Sequence, residues 1–576
     1  MDKPTKTGQN HSQPGQPFPW PPPAFFALIL IVVLPLMGCR RNRDGNAGAP
    51  NPVLRISQRN EPSVLDPATA SLPDEFFIIR ALSEGLVVPA PNGLRPAAAE
   101  SWEVSSDGLR CTFHLRSAVW SNGEPVTAED FAASYRRVLS PATAAPKAEL
   151  FYLVKNARAY VAGRLTDFSQ VGIRASDPRT LVITLEEPNP HFLAYAASGP
   201  WIPVNPRIVK REKGDWTRPG RFVGNGPYVL TEWLPGQRIA VRKNPLFRDA
   251  ARIRLGGIQF VRFDDGGGEE RAYRAGEIDL TMAVPFDRLA AYARDRPAEL
   301  HRQPLAETRY LTFNTRRPPL ADPRVRRALS LAIDRSRIVR DVLHGGEQTA
   351  HRLIPPPIEL SSSRSDAGSG VLSRVVASPP GVPSSAPGAE NFPADAAKAR
   401  RLLREAGFPL GRNFPGLELS GWTGAAGPVL EAIQAMWKKE LGIEVALVTR
   451  EARVHVSALR SGNYDIGYVT LIPDVADPLS VLEYFTSDSA NNYPHWADPG
   501  YDRLIGAATT SADPPARTLK LETAESRLLA AAPLAPLYFN AQNWLMQPYV
   551  RGWEQDALWN RYYPSLWMER TRAGKE

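Results

Sequence analysis

The chain has 576 residues, too many for one domain of ~100–200, so two or three cores are expected. Hydrophobic residues at 43% and charged residues at 22% exclude a largely disordered chain, and 56 prolines, about twice ordinary usage, belong in loops, turns or an added segment. Lys and Arg number 69 against 60 Asp and Glu; this +9 is scattered, as on a solvated basic surface, and does not point to nucleic acid.

At the N-terminus, AFFALILIVVLPL (24–36) is too short to cross a bilayer comfortably but has the length of an export-signal core, with Lys3 and Lys6 ahead of it. Leu36-Met37-Gly38-Cys39 follows directly and resembles the lipobox of bacterial lipoproteins, whose cysteine is acylated and becomes residue one. That likeness implies a signal peptide over 1–38, lipidation at Cys39, a polar tether over 39–52, and a protein held at a membrane outside the cytoplasm. The other cysteine is Cys111, so neither a disulfide framework nor a Cys-rich zinc site is possible. Eight dispersed histidines add no metal-ligand pair, so no metal and no cofactor is expected.

Val53-Leu54-Arg55-Ile56 alternates and reads as a strand, as do LRCTFHLR (109–116), with Cys111, Phe113 and Leu115 on one face, and Thr180–Leu185. Thr127 is placed to cap a helix whose first turn carries Glu129 and Asp130. Gly224-Asn225-Gly226 lacks the third glycine of a phosphate cradle and precedes a strand. Asp264-Asp265 and Glu269-Glu270 flank three glycines and read as a solvated loop, not an acid/base pair. A helix follows Asp322-Pro323, with Val325, Leu329, Ile333, Ile338 and Val342 at near-helical spacing. Residues 359–395 are Ser-, Pro- and Gly-rich and read as a surface loop. Helices around 394–406 and 428–441, each ending on glycine, lead to the strand at 443–449 in an α/β rhythm. The nucleophile elbow, P-loop, H-E-x-x-H and C-x-x-C are all absent, so binding is favoured over catalysis.

Three blocks sharpen this reading: GNGPYVLTEWLPGQRIAVRKNPLF (224–247), YRAGEIDL (273–280) and FNTRRPPLADPRVRRALSLAIDRSRIV (313–339). They resemble the hallmarks of family 5 extracellular solute-binding proteins of ABC importers, nearest to the oligopeptide-binding ones. Weaker matches at 63–70, 98–131 and 185–193 keep the same order.

The resemblance implies an α/β, two-lobed periplasmic-binding-protein fold of type II with an extra subdomain and a ligand cleft between the lobes. Lobe I would combine 53–83, 203–309 and 538–576, the inserted subdomain would fill 84–202, and lobe II would span 310–537. It implies that an extended oligopeptide is captured as an added strand and delivered to an ABC permease and ATPase complex in the inner membrane. The protein is then a periplasmic, lipid-anchored, non-enzymatic monomer.

By the same resemblance Asp474 holds the peptide's α-ammonium, Thr470, Leu471 and Ile472 form one ligand-flanking strand, and Ser71, Leu72 and Pro73 form the other. Tyr310, Tyr538 and Phe539 fall near pocket-wall aromatics. The basic residues that meet a peptide carboxylate in some relatives fall on Ala426, Leu459 and Tyr468, so the amine end is kept and the carboxylate end is lost. A signalling receptor of the same fold, for peptides or cell-wall fragments, and a binding protein for a non-peptide solute remain the alternatives.

Overall fold

A computed structural model describes residues 52–90, 93–358, 394–422, 426–511 and 513–569. The export segment with Cys39, and the Ser/Pro/Gly-rich stretch as far as residue 393, lie outside them. The alternation at the start of the described chain forms strand Val53–Gln58, with Leu54 and Ile56 fully buried. That strand edges a four-stranded sheet in the order Val53–Gln58, Gly257–Arg262, Arg238–Lys243, Tyr228–Leu234; the first pair is parallel and the others antiparallel. Its core joins Leu54, Ile56, Ile239 and Phe260 to Ile78, Ile79 and Leu82 of helix Pro73–Leu82.

The motif Gly224-Asn225-Gly226 docks that helix instead of holding a phosphate. Gly226 N donates to Leu82 O at 3.0 Å, and the Asn225 side chain bonds both backbone groups of Glu84 at 3.0 Å. A Cβ on Gly224 would lie 2.0 Å from Leu82 O, so only glycine lets the two backbones meet.

A second four-stranded sheet, wholly antiparallel, runs Ala99–Val104, Arg110–Leu115, Thr180–Thr184, Ile173–Asp177. Cys111, Phe113 and Leu115 are buried together, as their alternation requires. Burial pushes the Cys111 thiol up to about 12, which leaves it unreactive. Helix Ala128–Leu139 closes this core; Thr127 N donates to Asp130 Oδ2 at 3.0 Å and Thr127 Oγ1 accepts from Asp130 N, a reciprocal cap.

The largest sheet has six strands in the order Gln348–Thr349, Leu534–Leu545, Leu300–Phe313, Ile466–Leu471, Leu417–Trp422, Val445–Arg450. Successive residues of Ile466–Leu471 point to opposite faces, so the sheet has a core on each side. Ile466 and Tyr468 join Val325, Leu329, Ile433 and Trp437, whereas Val469 and Leu471 join Tyr310, Tyr501, Leu521 and Leu528. The long strands Leu300–Phe313 and Leu534–Leu545 pair from Leu300↔Leu545 to Thr312↔Leu534. At their far end Leu280 bridges both Ile56 of the first sheet and Met546, so this ribbon links the two lobes.

Three segments differ from the sequence reading. The glycines at 266–268 are not a solvated loop but the first turn of helix Gly266–Arg274, capped by Asp265 Oδ1 on Gly268 N at 2.8 Å. Burial explains this helix: Glu269 accepts from the Ser57 hydroxyl at 2.5 Å, and Tyr292 OH donates to Glu270 at 2.7 Å, so both acids face inward. The periodic run after Pro323 is not one helix. Helix Pro323–Leu331 stops, Asp334 caps Arg335–Arg337 through Arg337 N at 3.0 Å, and a wider π-type turn spans Ile338–Leu343. Finally, Ser71–Pro73 is not a strand: Leu72 caps helix Pro73–Leu82, in which Pro73 occupies the first turn, where its missing N–H costs nothing.

Candidate functional site

Strand Ile466–Leu471 is paired along one edge with Leu300–Phe313, from Phe313↔Ile466 to Thr308↔Leu471. On its other edge it meets Leu417–Trp422 only at Ile466 and Gly467. Among the described residues, therefore, the edge from Tyr468 to Leu471 carries no strand partner, an arrangement that an extended chain can complete. Thr470 lies on this stretch, and its Oγ1 accepts from Arg309, whose guanidinium sits 5.3 Å from the Trp422 ring and pairs with Glu307. The Tyr468 carbonyl is taken by the His455 ring at 2.9 Å.

Beyond the strand the chain passes through Ile472, half-buried, and Pro473 to Asp474. Asp474 Oδ1 is bonded by Lys147 Nζ, from the residue ahead of the short helix Ala148–Phe151 in the subdomain. The next residue, Val475, is buried in the core of the second four-stranded sheet together with Leu150 and Phe151. Asp477 follows, fully buried; it accepts twice from Arg517, at 2.7 and 3.0 Å, and bonds Leu479 N at 3.0 Å. Arg517 also meets His191 of the subdomain at 3.4 Å, a second contact across the cleft. Burial holds the His191 ring below its ordinary value, keeping it neutral beside that guanidinium.

The surroundings of Asp474 are acidic. Burial pushes the Glu483 carboxyl up to about 8, and the neighbouring Asp477, Glu149 and Asp474 push the same way. Glu149 is raised too, first by burial and then by Asp474, with Lys147 opposing.

Of the residues expected at the site, Thr470 and Leu471 end the strand, and Ile472 and Asp474 follow in the loop after it. The Leu471 side chain points into the core, as does Tyr310, which packs edge-on against Phe485 at 6.1 Å; neither forms a pocket wall. Tyr538 is buried on the opposite core, its hydroxyl bonded to that of Tyr468, and Phe539 beside it is buried and paired with Gln348 and Thr308. Ser71 N and Leu72 N both donate to the buried Glu75 carboxylate, at 2.8 and 3.1 Å, so these two donors serve the helix cap and not a ladder. Sequence reasoning missed Lys147, Arg309 and Trp422. Lys147 meets Asp474 across 327 residues of chain, and no local signal announces such a pairing.

The family model for bacterial extracellular solute-binding proteins, family 5, matches residues 93–493. The probable deoxycholate-binding periplasmic protein YgiS of Escherichia coli (strain K12) is 34% identical over 511 residues, covering 88% of this chain and 91% of its own. The periplasmic murein peptide-binding protein MppA of the same strain is 32% identical, covering 86% of this chain and 89% of its own. The Escherichia coli MppA structure superposes with a TM-score of 0.78 at 31% identity over 90% of this chain and 98% of that one, whereas the unliganded open form of MppA gives 0.66 at 30% over the same shares. Haemophilus influenzae OppA in complex with RPPGFSPFR gives 0.79 at 27% identity, over 90% of this chain and 99% of that one. The fold is thus the mixed α/β, type II two-lobed arrangement.

Proposed function

The chain belongs to the family 5 bacterial extracellular solute-binding proteins, and from that membership we propose that it is the substrate-binding lipoprotein of an ABC peptide importer. In this reading it is exported, acylated at Cys39 and held at the membrane in the periplasm. There it captures an extended peptide between lobe I (53–83, 203–309, 538–576), the subdomain (84–202) and lobe II (310–537), and delivers it to a permease and ATPase pair. The observation that carries the reading is the strand edge from Tyr468 to Leu471, which has no strand partner among the described residues and lies three residues ahead of Asp474. Main-chain pairing on such an edge gives affinity that is independent of side chains, and the terminal carboxylate supplies an anchor for the peptide's ammonium. MppA and OppA are named for murein peptides and oligopeptides, which agrees with this class of ligand.

Replacing Asp474 by Ala leaves a bound ammonium without its counter-ion in a part-buried site, a loss of ~3 kcal/mol or about a hundredfold in Kd for peptides with a free N-terminus. Titration calorimetry of the parent and Asp474→Ala with such peptides tests it; equal affinities remove Asp474 from the site.

A second reading, a non-peptide solute, is favoured by one observation: Asp474 already carries an ammonium from within the chain. The relative named for deoxycholate, a ligand with no amine, agrees with it.

A further inference from the structure

The Asp474 carboxylate, placed to receive a ligand's ammonium, is met in the structure by the ammonium of Lys147. Both partners are fixed from behind. Lys147 precedes helix Ala148–Phe151, whose Leu150 and Phe151 lie in the subdomain core, with Phe151 stacked on Trp201 at a centroid distance of 4.1 Å. Asp474 precedes Val475, which is buried in that same core. The pair is therefore not a chance meeting of surface side chains: the two side chains are only 19% and 20% exposed, and the backbone on each side is held by packing. Among the described residues Asp474 is the one anion within bonding distance of Lys147, and Lys147 is the one cation on Asp474.

We infer that Lys147 determines which ligands the Asp474 end of the cleft accepts. Its ammonium is a resident counter-ion, so a ligand that brings its own free amine must displace it. A ligand whose end at this point is acylated or uncharged closes the lobes with the Lys147–Asp474 pair intact. Displacement is unfavourable because it moves a part-buried cation off the one anion that pairs with it among the described residues. Lys147 thus biases the cleft toward N-blocked peptides and other amine-free ligands, and away from the free N-termini that Asp474 alone would favour. This rests on the proposed role of Asp474 as the anchor.

The test presents the purified protein with equal amounts of two tetrapeptide libraries, Ala-X-X-Ala with a free amine and the same peptides N-acetylated. Native mass spectrometry then reads the ratio of amino-free to acetylated peptide retained. Lys147→Met is expected to raise that ratio at least tenfold over the parent, and Lys147→Arg, which keeps the charge, to leave it within about threefold. Adding Asp474→Asn to Lys147→Met should return the ratio toward the parent's, because the anion that rewards the free amine is gone. Lys147→Gln repeats the measurement, with thermal melts of every variant, so that a folding defect in the Met variant cannot pass for a change of preference. A ratio that moves less than twofold in both Lys147 variants, while Asp474→Asn alone shifts it, overturns the role of Lys147 and leaves Asp474 as anchor. Failure of both libraries to bind the parent and every variant overturns the peptide reading, and the inference falls with it.

Discussion

Asp474 and Glu483 share one acidic pocket and reach neutrality by different means. Asp474 takes the ammonium of Lys147, whereas among the described residues Glu483 has no ion-pair partner, and burial lifts its carboxyl to about 8. A carboxyl whose value rises from about 4.5 unfolded to about 8 folded binds its proton more tightly in the native state. Its contribution to stability is complete below about 4.5 and is lost as pH rises through about 8. Melting curves between pH 5 and 9 should show the parent losing stability toward the alkaline end and Glu483→Gln losing less; parallel curves would contradict the assignment. His191 acts with the opposite sign. Its value is lowered from about 6.5, so its contribution is present above that pH and is lost as the pH falls below it. Neither environment was legible from the residues alone, because each is set by side chains that only the folded chain gathers. Asp474 was placed by the resemblance alone, and its role as anchor is what the Asp474→Ala titration tests.

At the scale of single elements, the helix ends were the most readable features, because the capping chemistry is local. Thr127, Asp322 and Gly442 each end or begin a helix as their types require; Asp322 bonds Arg324 N at 2.8 Å, and Gly442 adopts φ 68°. What failed were elements decided by burial. The three glycines at 266–268 oppose a helix by propensity, yet the inward-facing Glu269 and Glu270 hold one there. Arg326, after Asp322, pairs with no acid among the described residues. It is buried and donates to the carbonyls of Leu320, Ala321, Ala531 and Ala532, the last two at the end of helix Pro514–Ala531. Arg326→Met strands those acceptors and should cost at least ~3 kcal/mol in urea unfolding, against under ~1 kcal/mol for the exposed Arg401→Met. Gly224→Ala, which drives a Cβ into Leu82 O, should cost ~2 kcal/mol or more by the same measurement.

At the scale of the whole molecule, function follows from the way two lobes share one ribbon and close on one loop. The paired strands Leu300–Phe313 and Leu534–Leu545 carry the chain between sheets, and the Pro473–Asp477 loop is gripped by the subdomain through Val475, Asp474 and the Asp477–Arg517–His191 relay. The α/β class and the family's blocks were visible in the sequence, because they are runs of local pattern. The closing contacts were not, since Lys147 and Asp474 are far apart in the chain and neither is unusual where it stands. In the proposed role, contacts from both walls would let a ligand favour the closed state over the open one. The most direct measurement is native mass spectrometry of a soluble form beginning at Asn51, followed by denaturation and sequencing of whatever is released. Peptides of a narrow length range are the predicted result; a single non-peptide mass would contradict peptide capture while leaving the fold untouched.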